Sequence, residues 1–278
     1  MTTKITFGNF KGGVGKTTTT AICSYLLQEQ KYKVLVIDFD PSADCTRTLA
    51  STFGYSLEKY TSVYEAMSVF DLSKAKISLS PYLDLVPSGR DLADFGDLLR
   101  EATKGKPNPK SIKNFFLQML VTNMLNTNIE SEYDFIIFDV PPTESDLSNN
   151  ALIASDFVIP IMQTEKSSYE QTKSFINHIQ KLRKNFNSDN PDNSGKLITN
   201  VSVLGVVCYL ESKRSGVDKD IVNKAKEEMN DLLFKTHVYK SDRIKRYAFE
   251  ITRNDFHDKR TLKIYENLIK EILKKVGK

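Results

Sequence analysis

Residues 4–21 read KITFGNFKGGVGKTTTTA: a short apolar run, a turn with three glycines, then Lys-Thr opening a helical stretch. A chain that passes so tightly from strand to helix lays the helix across a sheet and needs a crossover to reach the next parallel strand. The rest of the sequence keeps that rhythm. Apolar runs at 4–9, 33–40, 82–88, 133–142, 156–162 and 201–210 predict strands. Several are apolar at nearly every position, as strands covered on both faces must be. Helical patterns fall between them, at about 16–30, 90–102, 111–126, 146–154, 165–185 and 216–234. This alternation predicts the α/β class, with a doubly wound, mostly parallel sheet flanked by helices. One domain over 1–278 is expected. Two polar stretches, 103–111 (TKGKPNPKS) and 185–195 (NFNSDNPDNSG), read as surface insertions.

Composition narrows the class. At 278 residues and 40% hydrophobic, the chain can bury a substantial core. Cys23, Cys45 and Cys208 are odd in number, widely spaced and form no CxxC pair, which argues against a disulfide framework or a zinc site. No run approaches the roughly 20 apolar residues of a membrane span, and nothing resembles a signal peptide. A cytoplasmic protein is expected. Its charge is uneven: residues 1–210 carry 21 Lys/Arg against 23 Asp/Glu, while 211–278 carry 18 against 12. A basic C-terminal quarter suits an acidic partner, although a solvated lysine-rich surface would look the same.

The glycine turn has the form of a phosphate-binding loop. Backbone N–H groups from Gly12 through Gly13, Val14, Gly15, Lys16 and Thr17 to Thr18 can surround an anion at the positive end of the following helix. Lys16 would reach the outer phosphates and the Thr17 hydroxyl would hold Mg²⁺, so a nucleoside polyphosphate with Mg²⁺ is the expected ligand pair. Ligands of a parallel sheet gather at the carboxyl ends of its strands. Two apolar runs end there in acids: VLVIDFDPS in Asp38 and Asp40, FIIFDVPP in Asp139. Asp139 has the form of a carboxylate that acts on Mg²⁺ through water. One irregularity stands out. Phe10 occupies the place of the usual first glycine, and Lys11 beside it is a second lysine that the ordinary motif does not require.

KGGVGKTTTT, VLVIDFDPS and FIIFDVPP together resemble the deviant Walker A, Walker A′ and Walker B motifs of ParA/MinD-type P-loop ATPases, and the likeness covers nearly the whole chain. The resemblance implies a role for Lys11: a signature lysine that crosses an ATP-sandwich homodimer to the phosphates held by the partner. It implies that Asp40 positions or deprotonates the attacking water and that Asp38 organises the Mg²⁺ shell. Phe10 is left to pack under the loop. Ser42, Ala43 and Asp44 replace the family's usual residues after the Walker A′ Asp-Pro, and Asp44 adds charge near the site.

Within the family, the resemblance favours ParA/Soj-type DNA partition. LESKRSGVD (210–218) makes Arg214 a candidate DNA contact. VYKSDRIKRYAFE (238–250) does the same for Arg243, with Lys240, Lys245 and Arg246 crowded around it. The implied function is ATP-dependent plasmid or chromosome segregation. A nucleoid-associated dimer would bind DNA non-specifically, and a ParB-like centromere-binding partner would stimulate its hydrolysis. Residues near 209–213 and 238–242 are expected to border the adenine. The alternative is a MinD-like ATPase acting at a membrane surface, for which the amphipathic stretch 261–278 is the feature to watch. Its aliphatic stripe fits packing on the sheet at least as well.

Overall fold

The computed structural model describes residues 1–102, 120–124, 127–188, 198–212, 215–229 and 232–278. Its centre is a sheet of β1 (Thr3–Gly8), β2 (Val34–Asp38), β3 (Ile77–Ser80), β4 (Leu83–Val86), β5 (Phe135–Asp139), β6 (Phe157–Gln163), β7 (Ser202–Val203), β8 (Val207–Glu211) and β9 (Val238–Tyr239). The strand order is β3-β4-β2-β5-β1-β6-β8-β9, with β7 also beside β6. Every pairing is parallel except β3 with β4. The doubly wound sheet is therefore present, with a short antiparallel edge strand that polar ISLS did not signal.

Both faces of the sheet are covered, which explains the unbroken apolar runs. Val34 and Val36 join the core on one face, while Leu35 and Ile37 join the core on the other. Helix α1 (Lys16–Glu29) packs against α2 (Asp44–Thr52) and against the C-terminal helix Phe256–Val276. That last helix buries Leu262, Tyr265, Leu268, Ile269, Ile272 and Leu273. The side chains a membrane would have to receive are already buried in the protein, and moving them into lipid would leave the surface beneath them bare to water. The amphipathic stretch is core. Among the described residues, no helix is long and apolar enough to cross a membrane.

Two differences from the expected elements have local causes. The run 201–210 is divided into β7 and β8, because the backbone at 204–206 turns to meet its neighbours. The Val206 amide donates to the Leu232 carbonyl (2.6 Å) and the Phe234 amide to the Val206 carbonyl (3.0 Å). A Cβ at Gly205 would stand 2.9 Å from that Leu232 oxygen, so the close approach needs glycine there. The helical pattern expected at 165–185 runs on as Lys166–Ser188, so the first residues of the second polar stretch are helix. The stretch 103–111, positions 189–195 and most of the helix expected at 111–126 lie outside the described residues.

Candidate nucleotide site

Strand register assembles the acidic part of the site. At the carboxyl ends of β2 and β5, Asp38 pairs with Asp139, and Phe7 of β1 flanks Asp139 on its other side. The glycine turn leaves β1 at that end and delivers Lys16 as the first residue of α1. Gly13 and Gly15 have φ of +72° and +93°, the left-handed region that glycine adopts without penalty. A side chain at Gly15 would also collide with Tyr209, whose ring lies 2.2 Å from an added Cβ. Glycine is required there on both counts.

The turn and strand tips enclose a cavity of about 540 Å³ lined by Gly13, Lys16, Thr17, Thr18, Asp40, Ser42, Asp44 and Pro142. Lys16 is only 6% exposed, and its ammonium donates to the Lys11 carbonyl (3.2 Å). Burial pulls its pKa below the ordinary lysine value, against the opposing pull of Asp139 and Asp40. Asp139 is fully buried and accepts hydrogen bonds from the hydroxyls of Thr17 (2.8 Å) and Thr20 (3.3 Å). Burial, with the nearby Asp38 charge, pushes its carboxyl well above the usual range, although Thr17 and Lys16 oppose this. A desolvated lysine beside desolvated carboxylates forms a site whose charges are incompletely compensated.

A magnesium polyphosphate fits that chemistry. The Thr17 hydroxyl and Asp139 carboxylate are already in contact, and both are oxygen donors of the kind Mg²⁺ takes. Among the described residues, no group of three His, Cys, Asp or Glu could hold a metal alone. Magnesium seldom has such a cage, binding instead through one or two protein oxygens with phosphates and water.

Asp38 is buried at the end of β2, and both of its carboxyl oxygens accept hydrogen bonds from the chain that follows. One carboxyl oxygen accepts from the Asp40 amide (3.1 Å), and the other accepts from the Thr46 amide (2.8 Å) and hydroxyl (2.7 Å). It ties the Asp40 turn to α2. Asp40 is half-buried at the cavity wall, its carboxylate accepting from the Ser42 amide (2.9 Å). Asp44 also lines the cavity and pairs with Arg47. Ala43 between them has φ +54°, an uncommon conformation for a residue with a side chain.

The two lysines of the loop point to different places. Lys11 pairs with Glu165 and donates to the Ser167 hydroxyl (2.8 Å), away from the cavity that holds Lys16. Asn9 holds the bend: its side chain accepts from the Lys11 amide (3.0 Å) and donates to Ile161 and Thr172 (both 2.8 Å). The sequence reading passed over Asn9, a buried polar residue inside the motif's own stretch. Phe10 packs edge-on against Phe175 and His178 of the helix Lys166–Ser188, the packing role expected of it.

A second cavity of about 760 Å³ is lined by Glu211, Ser212, Tyr239, Lys240 and Ser241, together with His257, Arg260 and Thr261. The first five come from the two segments expected to border a base. The C-terminal helix residues were not foreseen, since they meet the others only through tertiary packing. Of the basic residues singled out, Arg214 lies outside the described residues. Lys240, Lys245 and Arg246 are exposed. Arg243 is not free in the same way: it pairs with Asp255 and lies 3.5 Å from Asp258, at the start of the C-terminal helix.

Known proteins match this arrangement. The family model for AAA domains matches residues 2–190. The chain is 25% identical to the sporulation initiation inhibitor protein Soj of Bacillus subtilis over 277 residues, covering 96% of this chain and 97% of Soj. Its fold superposes on the Cyanothece McdA–ATP complex with a TM-score of 0.76 at 18% identity, covering 98% of this chain and 96% of that one. A plasmid partition protein of Borrelia burgdorferi bound to AMPPNP gives 0.71 at 24% identity, covering 99% and 100%. The chain belongs to the AAA-domain family, and within it to the ParA/Soj type of P-loop ATPase.

Proposed function

We propose that this protein is a DNA partition ATPase: it binds ATP with Mg²⁺, dimerises around the nucleotide, holds DNA in that state and releases it on hydrolysis. The observation that carries the reading is the divergence of two lysines five residues apart. Lys16 is buried inside the phosphate cavity, while Lys11 leaves it for Glu165 and Ser167. A cation directed away from its own nucleotide serves a neighbouring one, where it stabilises charge on the transferring phosphoryl group. Lys16 and the N–H groups of the turn bind the β- and γ-phosphates, and Glu211, Ser212 and the 239–241 segment receive the base. Thr17 and Asp139 would hold Mg²⁺, which would supply neutralisation of phosphate charge. Asp40 orients the attacking water, held in place by Asp38 and Ser42. Aligning a water without outside help is slow. This leaves room for a ParB-like partner to accelerate turnover.

DNA is held by Lys240, Lys245, Arg246 and Arg214 through phosphate contacts, which position without reading sequence. The protein then works in the cytoplasm on the nucleoid. The membrane-surface alternative loses its main support because the amphipathic helix is buried. The test is titration of labelled random-sequence duplex with ATP, ADP or no nucleotide, beside sedimentation with anionic vesicles. ATP-dependent DNA binding that weakens steeply with salt is expected. DNA binding indifferent to nucleotide, or binding to vesicles alone, would contradict the reading.

A further inference from the structure

Phe249 is a large apolar side chain left in water beside a polar site. It is 78% exposed, yet it stands at the lip of the phosphate cavity with Pro142 and Ala248. Its backbone is pinned on both sides. The Thr48 hydroxyl donates to the Ala248 carbonyl (2.7 Å), and the Ile251 amide donates to the Thr52 hydroxyl (3.0 Å). Tyr247 and Ile251, which flank the turn, are buried. A rigidly presented, exposed aromatic ring is the anatomy of an interface anchor: it brings large contact area and gives up little freedom on binding.

We propose that Phe249 is the apolar anchor of the nucleotide-dependent contact between two copies of this chain. The inference rests on the proposed ATP-sandwich dimer and names the surface that forms it. A second copy that delivers Lys11 to this cavity must approach its mouth, and Phe249 is at that mouth. Charge is complementary there, since the cavity wall carries Asp40 and Asp44 while Lys11 stands outside its own cavity. The anchor is also tied to the nucleotide site. Helix α2, which pins the Phe249 turn through Thr48 and Thr52, is itself fastened by Thr46 to Asp38. A shift of the Asp38–Asp40 turn when nucleotide binds is transmitted to the ring through that helix.

The test is light scattering across a concentration series in Mg²⁺ and ATP, on wild type, Phe249→Ser, Phe249→Leu, Thr48→Val and Phe256→Ser. In a two-fold dimer each substitution counts twice, so Phe249→Ser should weaken association by about a hundredfold or more. Phe249→Leu should recover most of the loss. Thr48→Val keeps the ring and loosens its turn, and should weaken association by less than Phe249→Ser does, because a mobile ring has more freedom to lose on binding. Phe256 is 71% exposed but is not at the cavity, so Phe256→Ser should dimerise as wild type does. Thermal unfolding shows whether each variant is folded. If Phe249→Ser dimerises normally while wild type needs ATP to do so, the anchor is wrong and the dimer stands. If wild type stays monomeric in Mg²⁺ and ATP, the dimer reading fails and the anchor with it. If Phe256→Ser weakens association as much as Phe249→Ser does, the effect is general surface apolarity and the assignment to Phe249 is overturned.

Discussion

The phosphate turn and the basic turn at 240–246 are both rich in cations, but they hold them in opposite ways. Lys16 is buried, and the charges of Asp139 and Asp40 act on it there. Around 240–246 the cations stand in water; the Lys245 side chain is 76% exposed beside Asp242. The exception is Arg243, which two acids of the next helix have taken up. A buried cation with few compensating groups is poised for an anionic ligand. An exposed one is available for many phosphates weakly, and a paired one is structural first.

The contrast is sharpest in the largest expected effect. Lys16→Ala removes a desolvated cation from the phosphates and should cost about 2–5 kcal/mol of ATP affinity, measured with a fluorescent analogue. An affinity within threefold of wild type would mean that the cavity is not the phosphate site. Neutralising Lys245 and Arg246 together should leave ATP affinity and thermal stability in place, because these side chains are exposed and line neither part of the nucleotide site. DNA binding should weaken for all sequences alike, and the log–log salt slope should flatten by up to about 4 per dimer if both contact phosphate in both subunits. An unchanged slope would remove this turn from the DNA interface.

The smallest effect separates Arg243 from its neighbours. Its partner Asp258 is buried and accepts from the Thr252 hydroxyl (3.0 Å), the Tyr247 hydroxyl (3.0 Å) and the Asn254 amide (3.1 Å). Burial alone would raise the Asp258 pKa, but these hydrogen bonds outweigh it and hold the carboxyl below its ordinary 3.8. A depressed carboxylate stabilises the fold above its unfolded pKa, and that contribution is lost as pH falls through the lower folded value. Arg243→Ala takes a cation away from Asp255 and from the buried Asp258, and should cost about 1–3 kcal/mol of stability at neutral pH. Asp258→Asn should also be destabilising there, by an amount that shrinks as pH falls below 3.8. Arg243→Ala with unaltered unfolding but weakened DNA binding would return Arg243 to the role its motif suggested.

The same contrast explains what was legible in the sequence. The turn from Lys11 to Thr18 specifies its own backbone through glycine, and the strands ending in Asp38 and Asp139 announce themselves by unbroken apolar runs. Those elements form as expected. Arg243 resembles a DNA-binding arginine locally, but its partners lie 12 and 15 residues further on, at the cap of another helix. No local pattern reports such a pairing. Asp38 is similar: Thr46 takes its carboxylate, and α2 itself lacked a helical signature because it starts after left-handed Ala43 with polar DCTRT. The short strands β3 and β9 have too few apolar residues to be seen before their neighbours are known.

The central claim is that Lys16 acts on its own subunit's nucleotide and Lys11 on the partner's. It is tested most directly by mixing two inactive proteins, Lys11→Ala and Lys16→Ala, and measuring ATP hydrolysis. In a mixed dimer, the Lys11→Ala subunit keeps Lys16 for its own nucleotide and receives Lys11 from its partner, which makes one complete site. With ATP high enough to load both variants, random pairing puts half of the dimers in that state with one site of two, so about a quarter of the wild-type rate should return. A mixture no more active than the sum of its two components would contradict the account, because a lysine working within its own subunit cannot be supplied by another.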